Sequence, residues 1–178
     1  ILSMTFLTAQ RSESSKSKLL SLVFPGWGQH VIGESKRAKS FFIGEAALWL
    51  LYIGGKNAAD WYESDYLAFA ELHSNVDMLG KNYLFYVNLG HYDSFEKFND
   101  TKSRKRDIEN KYEEGKGLEW EWDNLNNRIQ YDEMRIKSAI YDKYAKFAVS
   151  GLILNRLVSL IDVIYLERSN MKLETQFY

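Results

Sequence analysis

Four polar residues, Asn155, Arg156, Ser159 and Asp162, interrupt the longest apolar run of the chain, Phe147 to Leu166. Asn155, Ser159 and Asp162 are spaced i, i+4 and i+7, so on a helix they share one face. Gly151 lies one turn before them and Arg156 one step around. Such a face can do two things in an apolar helix. It can mark an ion or proton path, or it can let two helices pack closely through small residues and interhelical hydrogen bonds. Glu45 is the one charge in the second apolar segment, Phe41 to Gly55, and is the natural partner for Arg156, because each would otherwise be an unpaired charge. With only two apolar segments available, the spacing favours a packing seam of Glu45, Gly151, Asn155, Arg156, Ser159 and Asp162 over a transport path.

Other chemistry finds little support. His30, His73 and His91 are isolated, without the paired spacing that metal ligands take, and the chain has no Cys. No metal and no cofactor are expected. Carboxylates such as Glu63, Asp65, Glu113 and Glu114 are plentiful, but no pair sits in an apolar context that would separate two pKa values for acid–base work. Gly26-x-Gly28 lacks the third glycine and the preceding strand of a phosphate cradle. The expectation is a protein that is not an enzyme. Trp120 and Trp122 fall on one face if their segment is extended. With Trp61 and Tyr92 they are candidate interface aromatics, the alternative being that the Trp pair caps a helical core.

These residues need helices to position them. Ser14 and Ser15 can cap a helix running to Phe24. Pro25 and the glycines of Pro25-Gly26-Trp27-Gly28-Gln29, followed by Gly33, end it in a sharp turn. A helix is then expected from Glu34–Ser35 to about Gly54. Its sixteen residues between Lys39 and Lys56 are short for a full span. Residues 57–79 show helical spacing with Trp61, Ala68, Phe69, Leu72 and Val76 on one side. Tyr83 to Leu89 reads as either a short buried helix or a strand. A polar helix spans about Ser94 to Lys105, and a loop lies at Glu113 to Gly117. From Asp123 to Glu167 the pattern is helical, with Leu125, Ile129, Ile136, Ile140, Tyr144 and Phe147 in phase and Ser150–Gly151 as the place for a bend. The fold class is all-α. Residues 1–17 read as a signal-like or tail segment with cleavage after Ala9, 18–56 as an apolar helical hairpin, 57–145 as a water-facing helical region and 146–178 as a closing apolar helix and tail.

The net charge of −1 hides an asymmetry. Residues 11–39 carry six Lys/Arg against two Glu, whereas 56–146 carry fourteen basic and eighteen acidic residues. A basic segment beside an apolar helix suits an anionic membrane surface. An acidic middle without interleaved basic and aromatic residues argues against nucleic acid. The mean hydropathy of −0.38 excludes a polytopic transporter. Positive residues near the two ends of the apolar segments balance, so they leave orientation open; the signal-like start points to a periplasmic bulk.

The motifs resemble a bacterial membrane-protein family of unknown function, common in Bacteroidota. Pro25-Gly-Trp-Gly-Gln29 with Gly33 is similar to that family's Pro-Gly-x-Gly-Gln opening, and Asn155-Arg-Leu-Val-Ser159-Leu-Ile-Asp162 to its closing helix. Asn88-Leu-Gly-His-Tyr92, Trp120-x-Trp122-Asp123, Arg128, Tyr131, Arg135 and Ser138 match between them. Val31 stands where an aromatic is expected, and Val163 replaces the Ala after Asp162. The resemblance implies a membrane architecture and an envelope location, and no reaction. The resulting expectation is a non-enzymatic accessory or scaffold subunit of an envelope complex, with membrane lipid and other subunits as partners. The alternatives are a lipid or apolar-ligand binding module using Trp61, Tyr83, Phe85, Trp120 and Trp122, or a soluble helical interaction domain.

Overall fold

The structure, a computed structural model, describes residues 18–176, and side chains through 169. The expected cap at Ser14–Ser15 and the leader reading of residues 1–17 lie outside the described residues. Within them the chain is all-α. α1 covers 18–23, α2 Trp27–Val31, α3 Ser35–Ser74, α4 Tyr83–His91, α5 Phe95–Arg104 and α6 Leu125–Gln176, with a 3-10 turn at Ile108–Asn110. A single β-bridge, Ser94 to Glu121, is the extended backbone pairing seen among the described residues.

Two compact units divide the chain, one of residues through Gly54 and from Tyr144 onward, the other Gly55–Lys143. They are called here the terminal and the central unit. α3 and α6 each contribute to both. In the terminal unit the first half of α3 runs antiparallel to the second half of α6, as the contacts Phe41 to Asn155 and Leu48 to Gly151 require. In the central unit Ala59 meets Ser138 and Tyr66 meets Tyr131, again antiparallel.

Three sequence expectations are corrected here. Gly54–Gly55 does not end α3, which continues for 40 residues to Ser74; a helical glycine costs only about 1 kcal/mol each, and Gly55 is buried. The helix stops where Asn75 takes a left-handed conformation, φ 54, so that Val76 and Met78 turn back into the core. The buried face of this half is Ala59, Tyr66, Ala70 and Ser74, while Trp61 and Leu72 are 62% and 76% exposed. Finally, α6 is unbroken through Ser150–Gly151, and its expected stripe, Leu125 to Phe147, is exposed. Its buried positions repeat every seven residues, Tyr131, Ser138, Ala145, Leu152, Ser159 and Leu166. Such a heptad seam is what closely paired helices bury. Several of its members are small or polar, so the more hydrophobic face is not the packed one.

The ambiguous Tyr83 segment is a helix. Asn82 caps it, its side chain accepting from the Phe85 N–H at 2.9 Å, and Ser94 does the same for α5 through Lys97. Each cap satisfies one of the N–H groups that a helix start leaves free.

Candidate functional site

The terminal unit has a polar interior. Pro25 is fully buried and ends α1. Gly26 then adopts φ +95, and a Cβ there would meet the Ala38 carbonyl at 2.6 Å. Only glycine fits both demands. The turn thus presses against α3, and the Gly26 N–H donates to Ser159 Oγ of α6 at 2.9 Å. Gln29 is fully buried. Its amide nitrogen donates to the Ser159 carbonyl at 2.9 Å and to Asp162 Oδ2 at 3.1 Å, while its amide oxygen accepts from Ser159 Oγ at 3.1 Å. Ser21 of α1 accepts from the Gly28 N–H at 3.0 Å, and Arg37 pairs with Asp162. Every buried polar group in this cluster therefore meets a partner, as burial requires.

One to two turns further along α3 lies the second cluster. Arg156 Nη2 is 2.7 Å from Glu45 Oε1, and Asn155 Nδ2 donates to Glu45 Oε2 at 3.0 Å. Trp49 adds a donor to Glu45 at 3.3 Å. The Glu45 side chain is 16% exposed and that of Arg156 32%. Between helices the approach is close: a Cβ at Gly151 would sit 2.6 Å from Leu48. All six seam residues, Glu45, Gly151, Asn155, Arg156, Ser159 and Asp162, thus sit at the α3–α6 contact or at the turn docked on it. From the turn motif, Pro25, Gly26, Gly28 and Gln29 belong to the same assembly. Trp27 is 45% exposed, touching Phe24 and His30 edge to edge at 6.4 Å, and Gly33 supplies a second left-handed turn, φ +93, with open space around it.

The exterior of this unit is apolar. Ile43, Leu50 and Ile53 of α3 are 69%, 73% and 51% exposed, and Phe147, Leu154 and Ile161 of α6 are 60% to 64%. Among the described residues α6 is the one helix long and apolar enough to cross a membrane, its most apolar 18-residue window having mean hydropathy 1.8 with 22% of it buried.

The central unit has an aromatic interior. Trp120 and Trp122 are 3% and 6% exposed, so neither is available as an interface anchor. Their backbone is extended, and both rings point into an aromatic cluster with Phe85, Phe95, Phe98, Tyr112 and Tyr131. Tyr92 packs on Phe98 at 5.2 Å. Of the four candidate anchors, Trp61 alone is mainly exposed. Ring contacts as short as 4.6 Å, Phe98 on Tyr112, fill the space that an apolar ligand would need.

Side chains also close the C-terminal end of α4, whose last carbonyls have no helical partner. Trp122 donates to the Leu89 carbonyl at 2.8 Å, Arg128 to Gly90 at 2.7 Å and Trp120 to Tyr92, just past the helix, at 3.0 Å; Tyr131 donates to Tyr86 in the body of the helix at 3.0 Å. Arg128 is also ion-paired with Asp93 at 2.7 Å. Lys97 first and Arg128 second hold the Asp93 carboxyl below its usual range. Burial pushes the Tyr66 and Tyr131 hydroxyls well above the usual tyrosine range. Arg135 bonds Asp132 and the Tyr83 hydroxyl, and Asp132 fits only because residue 90 is glycine, a Cβ there lying 2.4 Å from it.

His73 forms a 2.8 Å bond to Asp123, which lowers that carboxyl's pKa, with Asn127 beside both. His30 and His91 are exposed and far apart in the chain. Among the described residues no three His, Asp or Glu are grouped to hold a metal. A shallow depression of about 460 Å³ lined by Asn126, Ile129, Gln130, Glu133, Met134 and Lys137 has walls from α6 alone, so it is a dip on one helix and not a cleft. Comparison with protein-family models, with characterised proteins and with solved structures gave no match.

Sequence spacing pointed to Glu45 and Arg156 together and placed Gln29 in the turn motif, but it did not show the contacts of Gln29 with Ser159 and Asp162, nor Ser21 or Arg37. A buried-prone turn carrying one amide, Gln29, was the available signal: an amide in a tight Pro-Gly turn needs partners, and Ser159 and Asp162 supply them.

Proposed function

We propose that this chain is a non-enzymatic accessory or scaffold subunit of a bacterial envelope complex, with its terminal unit in lipid and its central unit in water. The observation that carries the reading is the inverted surface of the terminal unit: apolar residues face outward and the hydrogen-bonded polar groups face in. In water such a surface costs roughly 25 cal/mol for each Å² of apolar area left exposed, whereas lipid removes that cost and penalises unpaired polar groups instead. Exposed apolar patches of this extent mark membrane or partner surfaces.

The buried hydrogen bonds described in both units join helices or close their ends. Residues that carry the family resemblance, such as Trp122, Arg128, Tyr131 and Ser138, donate hydrogen bonds to main-chain carbonyls and leave no reactive group aimed at a cavity. That supports a structural role over an enzymatic one, and the filled aromatic core favours the scaffold over a lipid-carrying module.

The test is extraction of the expressed chain followed by native affinity purification. Retention in the membrane fraction after alkaline carbonate, release by mild detergent and co-purification with other envelope proteins are expected. A chain that is monodisperse without detergent would overturn the membrane reading. Recovery as a lone monomer from detergent would overturn the subunit reading.

A further inference from the structure

We infer that the two ion pairs of the terminal unit, Arg37 with Asp162 and Glu45 with Arg156, form a register lock that rejects the sliding of α6 along α3 by one heptad in either direction. A heptad seam leaves the axial register of its two helices unspecified. Ala38, Glu45 and Tyr52 of α3, and Ala145, Leu152 and Ser159 of α6, recur every seven residues at the contact and are buried or half-buried. A slip of three or four residues exchanges the two alternating rows of such a seam. A slip of seven puts every residue at the level of its heptad equivalent, so it is the competing arrangement that the burial pattern alone does not exclude.

The charges do exclude it. On α3 the cation Arg37 precedes the anion Glu45 by eight residues. On α6 the cation Arg156 precedes the anion Asp162 by six. Because the helices are antiparallel, the native register pairs each cation with an anion. Slide α6 one heptad one way and Asp162 comes opposite Glu45, while Arg156 moves to the level of Tyr52. Slide it the other way and Arg156 comes opposite Arg37, while Glu45 faces Val149. Each slip therefore creates one like-charge contact and leaves one charge of the inner pair, Arg156 or Glu45, beside an apolar or aromatic side chain, an arrangement that is penalised away from water. Both spacings lie within one residue of a heptad, which is what makes the exclusion work in both directions. Gly151 under Leu48 adds a steric component, since a slip brings Leu48 against Val158 or Tyr144 instead.

This inference does not rest on the membrane reading, because the pairs oppose a slip in detergent, lipid or water, so the two can fail separately. The chain has no Cys, which gives clean disulfide reporters. Leu48→Cys with Gly151→Cys reports the native register, and Leu48→Cys with Val158→Cys reports the slipped one, both tested in the full chain with an oxidant. With natural charges, the first pair should cross-link and the second should not. Glu45→Arg makes the native pair repel and lets position 45 attract Asp162 in the slipped register. It should lower the 48–151 yield relative to 48–158 by roughly tenfold, and Arg156→Glu added to it should restore the native pattern. A purely structural role for Glu45 would lower both yields together and would not be rescued by the reversed pair. Should Glu45→Arg fail to fold, the variant with all four charges neutralised (Arg37→Gln, Glu45→Gln, Arg156→Gln and Asp162→Asn) must then show the 48–158 cross-link. Native cross-linking unchanged by Glu45→Arg, no rescue by the reversed pair, or no slipped product in the folded neutral variant would each overturn the lock.

Discussion

The two units solve opposite problems with the same residue classes. The core of the central unit is aromatic: Tyr131, Phe85 and Phe98 are at most 1% exposed, while Lys97 and Glu113 lie at the surface. In the terminal unit, Gln29 and Ser159 are fully buried, while Leu50 is 73% exposed. The first arrangement draws its stability from apolar burial. The second has little apolar area to bury and relies on close helix approach at Gly151 and on complete satisfaction of its polar groups. Substitutions should therefore act through different terms in the two units.

The largest effect is expected from alkaline pH on the central unit. Tyr66 and Tyr131 have folded pKa values raised above the unfolded value of about 10, so folding favours their protonated forms. Their contribution is fully present below that unfolded value and is lost as pH rises through the folded values. Tyrosinate absorbance should show a cooperative step, with loss of near-UV circular dichroism, at a pH above the ordinary tyrosine range. Tyr66→Phe with Tyr131→Phe leaving this step unchanged would contradict the buried assignment. Next in size is Trp122→Ala, which removes a core ring and the donor to Leu89. It should cost about 3–5 kcal/mol in denaturant unfolding followed by tryptophan fluorescence. In the terminal unit, Arg156→Leu strands Glu45 and should cost about 3 kcal/mol, whereas the double change with Glu45→Leu should recover most of that. Equal losses for single and double variants would mean that the pair is not coupled. Smallest is Ser159→Ala, which leaves the Gly26 N–H and the Gln29 amide each short of a partner, at about 1–3 kcal/mol, read as a lower melting temperature in detergent.

The sequence showed the seam better than it showed the helices that carry it. Glu45 and Arg156 were legible together because unpaired charges in apolar runs are rare enough to demand each other. The helical class followed from long periodic segments with a single Pro. What escaped was which face packs. Ala145 and Ala148 are buried where Ile136, Ile140 and Phe147 are not, because close helix pairs select small residues, and hydrophobicity then points to the wrong side. Gln29 was legible as part of the turn, but its partners escaped because they are about 130 residues away in the chain. The helix through Gly54–Gly55 escaped because a modest glycine penalty is outweighed by tertiary contact on either side.

Two leucines on α3 give the most direct test, since Leu50 in the terminal unit and Leu72 in the central unit are 73% and 76% exposed. A spin label placed at each through Leu50→Cys or Leu72→Cys, with the chain reconstituted in phospholipid vesicles, can be relaxed by dissolved oxygen or by a water-soluble nickel chelate. The account predicts that oxygen dominates at position 50 and the chelate at position 72. Chelate-dominated relaxation at position 50 would contradict it.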